Sequence, residues 1–301
     1  MILQIFRSII ILISCFYAVA TLGGTSGTAA FLKITPDARS AALGETGASD
    51  SRGAFTVLHN PALMSYTETS SASFAYTDWL LDLTMQSGAI LFKKPKYALG
   101  LSFTVFNTPD IELRTLPSDE PTETFNAHDL AAGVSFSYRL GTRLAVGFTG
   151  KYLYQQIYVE DASGFAADLG AAYRFPAAGL TFGAAIRNIG EMAALQKQKP
   201  TLPTNVVFGA SKIILKHGDF GLSGTVDGRV YVEDDTQFHV GVETFWRQHL
   251  FLRGGYQTGS ELRAFSGGTG LAWDRFAFDY AYQPLAEDFG ASHRIAFNLQ
   301  F

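Results

Sequence analysis

Apolar and polar residues alternate with period two along most of this chain, and the last ten residues show the pattern cleanly. Ile295, Phe297, Leu299 and Phe301 are apolar, and Arg294, Ala296, Asn298 and Gln300 between them are polar or small. Alternation at that period gives a strand one greasy face and one mixed face. The same reading upstream predicts strands at 69–78, 83–93, 96–107, 125–139, 143–157, 163–175, 179–188, 204–215, 218–232, 236–246, 249–258, 262–273, 275–283 and 291–301. Fourteen is an even number, as a closed antiparallel barrel with both chain ends on one side requires. The expected fold class is all-β: a transmembrane antiparallel β-barrel over residues 69–301, of about 14 strands.

The connections between those strands supply a separate test. With both ends in the periplasm, even-numbered connections are periplasmic and should be short; they fall at 94–95, 140–142, 176–178, 216–218, 247–248 and 274. Longer ones fall on the other side, at 108–124, 189–203 and 284–290. That asymmetry is the porin-type arrangement. A soluble sandwich would also alternate, but its second row would face water and carry many charges. Here the second row is small: Ala145, Gly147, Thr149, Gly170, Ala172, Gly183, Ala185, Gly268 and Gly270. Small residues suit an interior that another segment fills.

Composition agrees. Of 301 residues, 47% are hydrophobic, 17% charged and 14% aromatic, with 30 glycines. A net charge of −4 gives no reason to expect nucleic acid as a partner. After residue 20 no apolar run approaches the ~18–20 residues of a transmembrane helix.

The first twenty residues form a different unit. Arg7 precedes an apolar stretch that ends at Ala18-Val-Ala20, which reads as a signal peptide cut after Ala20. Cys15, the single cysteine, closes Leu12-Ile-Ser-Cys15, which also fits a lipoprotein cleavage site, so the two forms of processing stay open. Residues 21–68 lack the alternation, so they are not barrel wall, and they are too apolar for a free tail. Within them, Phe31 to Ile34 looks strand-like, Pro36 and Asp37 suit a first helical turn, and Gly44 suits its C-cap. Asn60 and Pro61 suit the cap and first position of a second short helix.

Parity also sorts the charges. If Leu144, Val146, Phe148, Tyr152 and Tyr154 face lipid, Lys151 faces inward. By the same rule Asp168, Arg187, Asp227, Arg229, His239, Glu243, Arg253, Asp279 and Arg294 face the lumen. A charge on the lipid face costs ~2–4 kcal/mol at midplane. Inside, such groups must be paired or hydrated, and the expected arrangement is a network that grips the N-terminal segment through Arg39, Glu45 or Asp50.

Several stretches resemble the PorV/PorQ family, within the FadL-like outer-membrane barrels. At the amino end these are Phe31-Leu-Lys-Ile34, Asp37-Ala-Arg-Ser-Ala-Ala-Leu-Gly44 and Asn60-Pro-Ala-Leu63. Further along, Gly164-Phe-Ala-Ala-Asp168, Arg187-Asn-Ile-Gly190, Leu252-Arg-Gly-Gly-Tyr256 and Phe278-Asp-Tyr-Ala-Tyr282 are similar too. The resemblance implies that residues 21–68 form a lead-in and an N-terminal plug segment inside the barrel, with a plug motif comprising Asp37, Arg39, Gly44, Asn60, Pro61 and Ala62. It also makes Phe301 a candidate signal to the barrel assembly machinery.

Catalysis is not expected. The six histidines are scattered, and His239 with Glu243 and Ser223 is the single conceivable constellation. No spacing suggests a metal site, and no cofactor is implied. Two roles remain. The resemblance implies an accessory of protein secretion or surface attachment of the type IX kind, with outer loops 107–124 and 188–203 as the docking surface. The alternative is a FadL-like transporter of small hydrophobic compounds. Expected partners are outer-membrane lipid, the barrel assembly machinery, and either secretion-system components or a hydrophobic small molecule. The expected location is the outer membrane of a Gram-negative bacterium.

Overall fold

The computed structural model describes residues 29–113, 121–195, 200–232, 236–260, 262–286 and 289–301. The leader 1–20 and the start of the lead-in lie outside them. The wall consists of β1 (Ser71–Asp78), β2 (Thr84–Lys93), β3 (Tyr97–Leu113), β4 (Glu123–Leu140), β5 (Leu144–Ile157), β6 (Glu160–Phe175) and β7 (Leu180–Met192). It continues with β8 (Asn205–His217), β9 (Phe220–Tyr231), β10 (Gln237–Trp246), β11 (Leu250–Gln257), β12 (Phe265–Trp273), β13 (Phe276–Pro284) and β14 (Ala291–Gln300). Each pairs antiparallel with its sequence neighbours, and β1 pairs with β14, so the sheet closes. All fourteen expected strands are present.

Side-chain burial follows the lipid–lumen division. Phe74, Tyr76, Leu101, Phe136, Phe148, Val226 and Ile295 are exposed on the outer face, where lipid replaces water. Between them Ala75, Ala145, Thr149, Ala172, Ala185 and Ala296 are buried inside. A strand of ten residues, tilted by ~40°, rises about 25 Å, enough to cross the hydrocarbon layer.

Two expectations about the wall need correction. The described part of the outer connection 108–124 is mostly strand: β3 runs on to Leu113 and β4 starts at Glu123, with a register shift between Thr108 and Ile111. Likewise β7 continues to Met192, past the expected end at 188. Beyond the membrane both faces of a hairpin meet water, so the apolar alternation stops while the backbone ladder continues. The β3–β6 side of the barrel therefore stands several residues taller than the β10–β14 side.

The plug, too, differs in detail. Ala30–Lys33 is a 3-10 turn and not an extended segment. The first helix, α1 (Ala38–Ala42), starts after Pro36, and Asp37 is its N-cap, accepting from the backbone N–H of Arg39 and Ser40. Gly44 follows at φ +70°, the left-handed conformation that ends helices. A second helix, α2 (Thr56–His59), leads into a 3-10 turn at Pro61–Tyr66, capped by the Asn60 side chain.

The plug packs inside the barrel against the small inner rows. Ala38, Ala41, Ala42, Phe55, Val57 and Met64 form one core with Ala75, Leu91, Ala98, Ala281 and Ala296 of the wall. Burying a side chain such as Phe55 is worth ~1.5–3 kcal/mol. Glycines allow the closest approaches. A Cβ on Gly147 would lie 2.3 Å from the Pro61 carbonyl carbon, and one on Gly183 would lie 1.9 Å from the Ala48 oxygen.

Candidate functional site

The interface between plug and wall gathers most of the lumen's charge. Arg39, carried by α1, donates Nε to Glu243 of β10 at 3.2 Å and Nη2 to Asp50 at 2.6 Å. Glu243 also receives Arg52 of the plug at 2.6 Å and Arg253 of β11 at 2.8 Å. Arg253 in turn reaches Asp279 of β13 at 2.6 Å. Three guanidiniums thus meet three carboxylates, half from the plug and half from the wall. Burial pushes the Asp50 carboxyl up, but Arg39 and Arg52 outweigh it and hold that group below its ordinary value.

A second contact region lies further along β9 and β10. Asp227 of β9 accepts from the backbone N–H of Gly47 (2.7 Å) and Ala48 (2.8 Å). His239 Nδ1 faces the Gly44 carbonyl at 2.7 Å, so it is the protonated nitrogen. Arg229 and Arg294 approach Glu45, whose carboxyl burial raises and the guanidiniums of Arg263, Arg294 and Arg229 lower more strongly.

Lys151 and Asp168 pair within the wall at 2.7 Å, away from the plug's carboxylates. Asn188, at φ +59°, sits where the β6–β7 register shifts; its N–H donates to Asp168 and its side-chain oxygen accepts from Lys151. Arg187 donates Nε to Asn205 at 3.2 Å. Asn60 does more than cap its turn. Its Nδ2 donates to Ala48 O at 2.8 Å and faces the Ala171 and Ala184 carbonyls of the wall at 3.3 Å. Pro61 and Ala62 fill the gap over Gly147, and Ser137 Oγ donates to Ala62 O at 3.0 Å. Phe301 lies on the outer face, edge-on to Phe92.

Parity alone left out Arg52, Arg263, Asn188 and Trp79. Arg263 lies before β12 and Trp79 after β1, in connections where facing is not set by alternation.

Two spaces adjoin the plug. A cavity of about 60 Å³ lies between Phe31, Leu32, Ile34, Val57 and Leu58 of the plug and Ser102, Thr104, Ala131, Gly133, Thr149, Lys151 and Arg187 of the wall. A vestibule of about 590 Å³ opens among the periplasmic turns, bounded by Asp50, Arg52, Tyr66, Arg174, Arg253 and Asp279. At the opposite end Phe31, Trp79, Met85, Phe106, Leu153, Met192 and Leu202 form a packed apolar layer.

The conceivable catalytic set is not assembled. Ser223 lies opposite Glu243 in the β9–β10 ladder, but the carboxylate is committed to three arginines and His239 to Gly44. Among the described residues no group of three or more His, Cys, Asp or Glu could hold a metal ion.

Residues 23–219, about two thirds of the chain, match the family model for the type IX secretion system protein PorV. The chain belongs to the PorV family. No curated protein sequence matches it. Among solved structures, this PorV-family barrel is similar to the toluene transporter TbuX of Ralstonia pickettii, with a TM-score of 0.59 and 14% identity over 89% of this chain and 98% of that one. It is also similar to the CymD monoaromatic hydrocarbon channel (TM-score 0.60, 14% identity, 87% and 96% covered). A FadL homologue of Pseudomonas aeruginosa gives 0.55 at 10% identity, with 88% and 97% covered. At such identities the likeness establishes the fold. Lipid-facing belt, closed barrel and family together place the PorV-family chain in the outer membrane of a Gram-negative bacterium.

Proposed function

We propose that this barrel conducts a small, largely apolar compound across the outer membrane, using the plug as its gate. The carrying observation is the cavity under Phe31, greasy on the plug side and lined by hydroxyls, Lys151 and Arg187 on the wall side. Ligand sites have that character: mostly apolar, with a few placed polar groups. At about 60 Å³ it holds little more than water, so a ring-sized compound enters by displacing the plug's edge. Two exits fit. Plug movement leads to the periplasmic vestibule, and beside the cavity the wall carries only small side chains at Ala131, Ala132 and Gly133. The similar solved structures with hydrocarbon-channel and toluene-transporter names support this reading.

The test is uptake in a strain lacking the gene, across a panel of monoaromatic and aliphatic compounds. Slower uptake of at least one class, restored by the wild-type gene and not by a Phe31→Trp form that fills the cavity, is expected. Normal uptake across the panel overturns the proposal.

A second reading rests on the family match: an accessory of protein secretion or surface attachment, docking components on the tall β3–β6 side. It requires type IX genes in the same genome, and their absence would exclude it. Under either role we assign residues 1–20 to a signal peptide, 21–68 to lead-in and plug, and Phe301 to recognition by the barrel assembly machinery.

A further inference from the structure

Above the clasp formed by Glu243 with Arg39, Arg52 and Arg253, the lumen holds a second charge cluster with a different balance. Glu45 of the plug receives three guanidiniums: Arg229 from β9, Arg294 from β14, and Arg263 from the connection between β11 and β12. Of the three, Arg263 is in hydrogen-bonding contact with the carboxylate. Arg294 Nη2 stands 3.6 Å away and Arg229 Nη1 3.8 Å away. Arg229 uses Nη2 on the Glu45 carbonyl and Arg294 uses Nη1 on Gln283.

Several polar atoms here are buried without a partner. The donors are Arg229 Nε, Arg263 Nε, Arg294 Nε and Nη2, and Gln283 Nε2; the acceptors are Glu45 Oε2, Gln257 Oε1 and His239 Nε2. Among the described residues donors outnumber acceptors here, and Glu45 is the one carboxylate paired with the three guanidiniums. Among the described residues the next carboxylates, Asp37 and Asp227, make no ion pair with the three guanidiniums. Asp37 caps α1 and faces His59 at 3.5 Å, and Asp227 is bonded to Gly47 and Ala48. Water bridges would satisfy N–H groups but leave the excess charge, and a buried charge lacking a counter-ion is costly.

Trp79 covers the cluster from the extracellular side. Its ring lies 5.2 Å from the Arg263 guanidinium and 5.0 Å from that of Arg294, and it packs into the apolar layer. The two guanidiniums therefore share one aromatic lid and one carboxylate. Arg294 is fully buried and Arg263 nearly so, which excludes a chain-bearing acid and restricts any occupant to a compact ion.

We propose that this cluster is a binding site for a small inorganic anion of the halide class, held by Arg263 and Arg294 beneath Trp79. The ion cancels part of the excess charge and takes up the unpartnered N–H groups. It thereby ties an outer connection, the wall and the plug's Glu45 into one unit. The inference is independent of the transported compound.

Iodide serves as probe and Trp79 as reporter. Trp246 and Trp273 are exposed on the outer face, so the Trp246→Phe/Trp273→Phe protein isolates the Trp79 signal. In detergent at constant ionic strength, quenching should saturate with iodide and be competed by chloride. Arg263→Gln should raise the half-saturating concentration at least tenfold. Purely linear quenching, equal in the Arg263→Gln form, overturns the proposal. Should that variant fail to fold, bromide-soaked crystals of the wild-type protein decide: an anomalous peak between Arg263 and Arg294 supports the site, and peaks confined to the surface refute it.

Discussion

Arg39 and Glu243 lie 204 positions apart in the chain and meet at 3.2 Å inside the barrel, one on the plug and one on the wall. The pair is nearly inaccessible to water, at 4% and 1% side-chain exposure. A buried pair of this kind adds modest net stability, but removing one partner strands the other. Glu243 is the more critical member, because Arg52 and Arg253 converge on the same carboxylate.

Glu243→Gln should therefore destabilise plug docking by about 3–5 kcal/mol. Thermal unfolding should fall accordingly, and limited proteolysis should cut between α1 and α2. Arg52→Gln should have a much smaller effect, because its side chain is 45% exposed and water can replace the lost partner. Equal losses in the two variants would contradict a buried clasp centred on Glu243.

Adjacent glycines of β11 should respond in opposite ways. A Cβ on Gly255 would lie 1.9 Å from Gly44 N and 2.3 Å from Leu43 C, both backbone atoms of the plug. A Cβ on Gly254 meets nothing within 4 Å. Gly255→Ala should cost about 1–3 kcal/mol through overpacking, and Gly254→Ala should stay within about 0.5 kcal/mol of wild type. Parallel melting curves check both.

Much of this architecture was legible because physics imposes a period on it. Lipid outside and a filled lumen inside force alternation, and so Leu144 to Tyr154 could be assigned a face from sequence. The same parity set Lys151 and Asp168 inward on adjoining strands, where they meet at 2.7 Å. Where lipid ends, so does the signal: the β3–β4 hairpin beyond residue 107 read as loop. Within the plug, the cap at Asn60 was legible locally, but its bonds to Ala171 and Ala184 depend on how a distant wall curves around it. Arg263 and Trp79 escaped notice for a similar reason, since tertiary folding alone brings them to Glu45 and Arg294.

Plug docking should resist acid down to the ordinary carboxyl range and weaken below it. Glu45 is held below its usual 4.5 and Asp50 below 3.8, against the opposing effect of burial, by neighbouring guanidiniums. A depressed folded value means the stabilisation is complete above the unfolded value and is lost as pH falls through the folded one. Melting temperature should therefore stay level from pH 7 to about 5 and drop below about 4. Glu45→Gln should start lower and show a shallower acid decline; an unchanged acid profile in that variant would remove Glu45 from the account.

A charge placed on the outer belt tests the membrane orientation of the wall. Val226 lies midway along β9 and is 50% exposed on the outer face. Val226→Arg should destabilise the lipid-embedded barrel by about 2–4 kcal/mol. In the same strand Thr225, inward and buried, should tolerate Ser far better. If Val226→Arg leaves the folded fraction in lipid vesicles unchanged, the belt has been drawn at the wrong depth.

Phe301 separates folding from assembly. Its N–H donates to Ser70 O at 3.0 Å, which closes the β1–β14 seam, and its ring meets Phe92 edge-on at 6.4 Å. Phe301→Ala keeps the backbone bond and removes only the ring, a loss of about 0.5–1.5 kcal/mol from the aromatic pair. Refolding from urea into detergent should therefore proceed nearly as in the wild type. If the ring is read by the assembly machinery, the same variant should accumulate unfolded in the periplasm of living cells, with surface levels several-fold lower. The comparison is informative because each site of action leaves its own pattern. Impairment in both settings would make the ring a structural element of the seam, and normal surface levels would show that the machinery does not need it.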